Sequence, residues 1–146
     1  MITYVVPCGA AKLDRPAPAR DLYTGAMFRH TFGNATQCAA LDEAAGYGPA
    51  RVLILSAQYG LIDPDTVIAP YDLRIDQPGS VTAATLAAQA EALGIEWGDE
   101  VYALLPQAYL ARLDEALRTL DVYVQNVYEA TAGIGDQRHV NAGISR

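Results

Sequence analysis

Two segments concentrate the residue types that do chemistry. The first is Pro7–Phe28, PCGAAKLDRPAPARDLYTGAMF. Lys12 is the only lysine of the 146-residue chain; the nine other basic residues are arginines. A compact ammonium on a flexible stem can meet a phosphate or shift its pKa. The small turn Cys8-Gly9-Ala10-Ala11 before it lets backbone N–H groups approach an anion. Arg20 supplies a second cation, though Arg20 and Asp21 can also simply pair with each other. Tyr23 reads as a wall residue. The Gly and Lys spacing of a P-loop is absent.

The second segment is Leu55–Arg74, LSAQYGLIDPDTVIAPYDLR. Ser56 stands where a buried strand surfaces, and Gly60 permits a sharp turn. Asp63, Asp65 and Asp72 place three carboxylates within ten residues, beside Tyr59 and Tyr71. Carboxylates near an apolar loop serve as general acid, base or nucleophile once their pKa values are separated. They also hydrogen-bond ribose hydroxyls. Asp-Pro-Asp is equally a turn signal, with Asp63 capping its own loop.

Outside these segments the signals are weaker. Cys8 and Cys38 read as packing thiols, with no histidine close in sequence. His30 and His139 lack metal-ligand spacing. Gly133-Ile134-Gly135-Asp136-Gln137-Arg138 reads as a tight turn into a short helix from Asp136, with Arg138 able to reach an anion. Trp97 and the remaining tyrosines are explained by packing. The Gly-x-Ser-x-Gly elbow is absent.

The elements that must position these residues follow from periodicity. Ile2–Val6 and the apolar run Arg51–Ser56 read as strands, the latter buried on both faces. Val101–Leu105 and Val122–Val127 read as a third and a fourth. Thr24 caps a helix to about Ala45, with Met27, Phe28, Thr31, Phe32, Ala35 and Ala39 inward. Ser80 caps a second, with Leu86, Ala90 and Leu93 inward and Gly94 ending it. Pro106 opens a third, with Tyr109, Leu113, Leu117 and Leu120 on one face. The order β-α-β-α-β-α-β predicts one three-layer α/β domain over residues 1–146, with a mostly parallel sheet of about four strands flanked by helices. Two long irregular stretches, Leu13–Tyr23 and Gly60–Gly79, then follow the carboxyl ends of the first two strands. Ligands of open α/β sheets bind at those ends, provided here that the two strands are close neighbours.

Composition narrows the partners. The net charge is −7 and 51% of residues are hydrophobic. Residues 1–30 hold four basic residues against two acidic ones; the rest of the chain holds six against fifteen. An acidic body is a poor surface for duplex nucleic acid, whose affinity comes mostly from phosphate neutralisation. A compact basic segment suits a small anionic, nucleotide-like ligand, or one extruded nucleotide, although net charge also serves solubility alone. No run of eighteen apolar residues predicts a membrane span. MITYVVPCG lacks the features of a signal peptide, and two cysteines are too few for a disulfide framework or a four-ligand zinc site. A cytoplasmic protein without metal or cofactor is expected.

At the two segments the sequence resembles an uncharacterised bacterial and phage family of unknown function. The resemblance is carried by Pro7-Cys8-Gly9 with Lys12, and by Ala19-Arg20-Asp21-Leu22-Tyr23-Thr24 with Phe28. Leu55-Ser56-Ala57 with Gly60-Leu61 and Pro64, and Pro70-Tyr71-Asp72, complete it. It covers about the first half of the chain, plus Gly-Ile-Gly-x-x-Arg near the end. Ala10-Ala11 departs from the pattern, in which relatives often carry a second basic residue before the lysine. The resemblance implies company with base-exchange and nucleic-acid modification functions. The expectation is therefore an enzyme acting at the N-glycosidic bond of a nucleotide, nucleoside or modified base. Candidate catalytic residues are Asp72, Asp21, Tyr71 and Ser56. Candidate ligand-binding residues are Cys8, Gly9, Lys12, Arg20, Tyr23, Tyr59, Gly60 and Arg138. The alternative is a module that binds such a ligand, or a protein partner, without reaction.

Overall fold

The computed structural model describes residues 1–127. Strand β1 (Ile2–Pro7) is a β-branched run buried on both faces and forms the centre of the sheet. Strand β2 (Ala17–Pro18) and the one-turn helix α1 (Ala19–Leu22) lie in the first long connection. Helix α2 (Ala26–Ala44) leads to β3 (Ala50–Ser56), which turns into β4 (Gly60–Ile62); β5 (Val67–Ile68) follows. Helix α3 (Ala83–Ala92), β6 (Glu100–Ala103), α4 (Gln107–Arg118) and β7 (Val124–Asn126) complete the described chain.

The main sheet has five strands in the order β4-β3-β1-β6-β7. All pairings are parallel except β3–β4. β2 and β5 form a separate antiparallel pair that ties the two long connections together. Because alternate residues of a strand face opposite sides, β1 feeds two cores. Ile2, Tyr4 and Val6 pack with Phe28, Ala35 and Cys38 of α2. Val5, with Leu53 and Val101, packs with Leu86 of α3 and Leu113 and Leu117 of α4. Each fully buried aliphatic side chain contributes roughly 1.5–3 kcal/mol. Asp42 is buried at the end of α2, where Tyr4 Oη donates to its carboxylate at 2.5 Å.

The α/β fold with a mostly parallel sheet between helix layers agrees with the sequence reading, and β1 and β3 are direct neighbours as the placement of the site requires. Five strands replace the expected four. The extra one, β4, is short and begins at Gly60, whose φ of +81° turns the chain back along β3. Helix starts also differ. Thr24 does not cap α2: its N–H donates to Ala11 O, so it still belongs to the extended segment, and Gly25 takes the cap position. Met27 is 76% exposed rather than inward. Thr82, not Ser80, caps α3 by accepting from Thr85 N at 3.1 Å; the Ser80 hydroxyl donates to Ile75 O instead. Gly94 ends α3 with φ +83°, as expected. The glycine-rich turn, the helix from Asp136 and Arg138 lie outside the described residues.

Candidate functional site

The connections fix where a ligand crevice opens. From β1 the chain runs through α2 to β3 on one side; from β6 it runs through α4 to β7 on the other. The carboxyl ends of β1 and β6 are therefore a switch point, where the loops diverge and leave a crevice. A cleft of about 430 Å³ lies there, lined by Pro7, Met27, Thr31, Leu104, Leu105, Pro106, Gln107 and Asn126.

Cys8 is the next residue past β1. Its N–H donates to Leu55 O, which holds the chain against β3 for one more residue. Its half-buried Sγ lies 3.5 Å from Tyr109 Oη, in the first turn of α4, and near enough to the Tyr71 hydroxyl to act on it. Lys12 and Tyr23 form an antiparallel bridge, flanked by Leu13 N to Leu22 O and Thr24 N to Ala11 O. That bridge carries Lys12 back over the sheet edge. Its Nζ donates to Ala10 O at 3.2 Å and stands 4.4 Å from the centroid of the Tyr71 ring. It lies 5.8 Å from that of Tyr23. No carboxylate pairs with it among the described residues.

Below the lysine runs a chain of hydroxyls. Ser56, fully buried at the end of β3, accepts from Gln58 N and Tyr59 N at 3.2 and 3.0 Å. Its own hydroxyl donates to Tyr71 Oη at 2.7 Å. Tyr71 Oη is also 2.7 Å from Tyr23 Oη. Tyr59 meets Tyr71 edge to face at 5.5 Å and donates its hydroxyl to Ala69 O. Burial pushes the Tyr23 phenol up to about 12, partly offset by its hydrogen bond with Tyr71. Burial, and then the neighbouring Cys8, also pushes the Tyr71 phenol up. Tyr109 is raised by burial and by its bond with Cys8. These phenols keep their protons at neutral pH.

The structure thus brings together Cys8, Lys12, Tyr23, Ser56, Tyr59 and Tyr71. Gly9 sits beside them, but an added Cβ there would meet only ordinary contacts with Phe28 and Tyr23. Gly60 serves the fold, since a Cβ there would stand 2.0 Å from Gln89 Oε1. The Gln89 carboxamide bridges Tyr59 O and Leu61 N, which locks the turn. Asp72 is exposed, one residue past Tyr71, and Asp21 is exposed on α1. Arg20 pairs with Asp65 at 2.8 Å, not with Asp21, and its guanidinium lies over Phe32. It lines a different cleft of about 330 Å³ with Arg51, Asp63 and Asp65. Asp63 caps its own loop, accepting from Asp65 N at 2.8 Å.

Sequence reasoning missed Tyr109, read as packing. Its one signal was position, in the helix turn that follows the strand beside β1. It missed Gln89 entirely. Among the described residues no three His, Cys, Asp or Glu side chains converge to hold a metal ion. No helix among them is long and apolar enough to cross a membrane. No curated protein and no solved structure matches the chain. A family model does match, over residues 3–141, and on that match the chain belongs to the family of unknown function DUF6884.

Proposed function

We propose that this protein binds a small anionic nucleotide-like ligand at the carboxyl edge of the sheet. It acts there on the N-glycosidic bond, as a glycosidase or base-exchange enzyme linked to nucleic-acid modification. The observation that carries the reading is Lys12 Nζ over the Tyr71 ring, beside the buried hydroxyls of Ser56 and Tyr23. A cation, an aromatic surface and fixed hydrogen-bonding groups on one edge suit a phosphate joined to a heterocyclic base. In this reading Lys12 takes the phosphate, Tyr59 and Tyr71 flank the base, and Asp72 balances the positive charge developing at C1′. Such ligands, and the two free thiols of Cys8 and Cys38, suit the cytoplasm. The net charge of −7 disfavours duplex nucleic acid as the partner.

A second reading, a binding module without chemistry, is favoured by one observation. The groups around Tyr71 are hydroxyls, a thiol and an ammonium, while Asp72 stands exposed. One experiment separates the two. The protein is incubated with purine and pyrimidine nucleoside 5′-monophosphates, and the mixture is chromatographed. Free base with ribose 5-phosphate is the expected product. Bound but unchanged nucleotide supports the second reading, and no binding to any of them removes both nucleotide readings and leaves a module for a protein partner.

A further inference from the structure

From one buried hydroxyl that bonds to nothing, we infer that the cleft beyond β1 and β6 binds a flat, uncharged heterocycle, with Thr31 bonding its polar edge. The inference goes beyond the reading above and does not rest on it. Neither Lys12 nor the tyrosines assigned there line this cleft, so it is a second place for a ring. Four polar side chains are buried among the described residues: Thr3, Thr31, Asp42 and Ser56. Thr3 accepts from Arg51 Nε, Asp42 accepts from Tyr4 Oη, and Ser56 bonds Tyr71 and two backbone N–H groups. Thr31 is only 6% exposed, yet its hydroxyl has no partner among the described residues. It does not turn back onto its own helix, as Thr36 does by donating to Phe32 O at 2.8 Å. Nor is its oxygen sealed in the core, as Arg51 Nη2 is; it opens on the cleft that Thr31 lines. A buried hydroxyl without a partner weakens a fold and calls for an explanation, and a ligand that bonds it supplies one.

The rest of the lining sets the ligand's class. None of the eight lining residues carries a charge, whereas the clefts beside Arg20 and beside Arg118 are lined with Arg, Asp and Glu. A fully charged ligand would lose its hydration here with no counter-charge to meet it. Leu104 and Leu105 offer apolar surface to a ring face, and Gln107 offers a carboxamide at the rim. Met27 stands 76% exposed at the same cleft, a soft side chain able to close over a ring. Helices α2 and α4 both begin here, neither with a side-chain cap nor an acidic residue in its first turn. Their partial positive charge favours electron-rich atoms, so the edge facing them is a keto oxygen or a ring nitrogen. The volume of about 430 Å³ is that of a small-molecule site.

The test titrates the protein with two free bases, uracil and hypoxanthine, and follows its amide NMR spectrum. Shifts centred on Met27, Thr31, Leu104 and Gln107 are expected. Thr31→Val keeps the side chain's shape and removes the hydroxyl, and should weaken binding roughly three- to tenfold. Thr31→Ser should restore it. Because the hydroxyl has no partner in the free protein, Thr31→Val should melt no lower than wild type. Met27→Asp, at an exposed first-turn position where a carboxylate suits the helix, should fold normally and abolish binding. No binding of either base, shifts centred elsewhere, or wild-type affinity in Thr31→Val or Met27→Asp overturns the inference. So does a Thr31→Val protein that melts below wild type, since its hydroxyl would then serve the fold. Failure to cleave nucleotides bears only on the glycosidic reading and leaves this one standing.

Discussion

Lys12 Nζ stands 4.4 Å from the centroid of the Tyr71 ring, although the two residues belong to different loops. The contact exists because β1 and β3 are parallel neighbours, so both loops leave the same edge of the sheet. The β2–β5 pair then ties the loops to each other. Lys12, Tyr23, Ser56 and Tyr71 are one assembly for that reason, and its parts can be tested separately.

Gly60→Ala should destabilise the fold without touching the ligand groups. The positive φ and the clash with Gln89 act together, so a loss of about 2 kcal/mol or more is expected. Urea unfolding of the variant against wild type measures it. Gln89→Ala should reproduce part of the loss, since it frees Tyr59 O and Leu61 N.

How much of this could be read from the sequence depends on how local each cause is. Ile2–Val6 and Arg51–Ser56 were legible because parallel, doubly buried strands are continuous apolar runs. Strand β4 was not, because a three-residue strand has no periodicity and its turn is held by a side chain from α3. The segments of the site were legible from residue type: a lone lysine, and tyrosines beside the serine that ends a strand. Their partners were not. Arg20 and Asp21 are sequence neighbours on a helical turn, so their side chains diverge and Arg20 finds Asp65 across the β2–β5 pair. Tyr109 reaches Cys8 only because β6 lies next to β1.

Alkaline pH should unfold the protein. The Tyr23 phenol holds its proton up to about 12 in the fold, against the ordinary value of 10.0 in an unfolded chain. The folded state therefore binds more protons between those values. This contribution is complete below pH 10 and is lost as the pH rises toward 12; for Tyr23 it is on the order of 2–3 kcal/mol. Tyr4, Tyr71 and Tyr109 shift in the same direction. Denaturation midpoints measured from pH 8 upward should be flat and then fall above about pH 10, with a shallower fall in Tyr23→Phe.

Arg20→Ala should change little. The Arg20–Asp65 pair is solvent-exposed, and such pairs contribute about 0–1 kcal/mol. Because this guanidinium faces a different cleft, nucleotide affinity should stay within about twofold of wild type, less than 0.5 kcal/mol. A calorimetric titration checks it, and a tenfold loss would show that Arg20 shares the ligand with Lys12.

Asp72→Asn should abolish base release while leaving the unfolding midpoint unchanged, because the side chain is exposed and no core depends on it. Chromatography of the reaction mixture and a parallel melt give both readouts. Undiminished turnover would remove the carboxylate from the mechanism.

The most direct measurement is a calorimetric titration of the protein with nucleoside 5′-monophosphates, with their nucleosides as controls, repeated with Lys12→Ala. Lys12 lies at the surface of the site and supports no core, so the variant should melt at the wild-type temperature. One charge-assisted contact is worth about 1.5–3 kcal/mol, so its removal should weaken monophosphate binding roughly 10- to 150-fold. Nucleoside binding should not move. Equal affinity of wild type and variant for every monophosphate would contradict an anion site at Lys12 and, with it, nucleotide binding at this edge of the sheet.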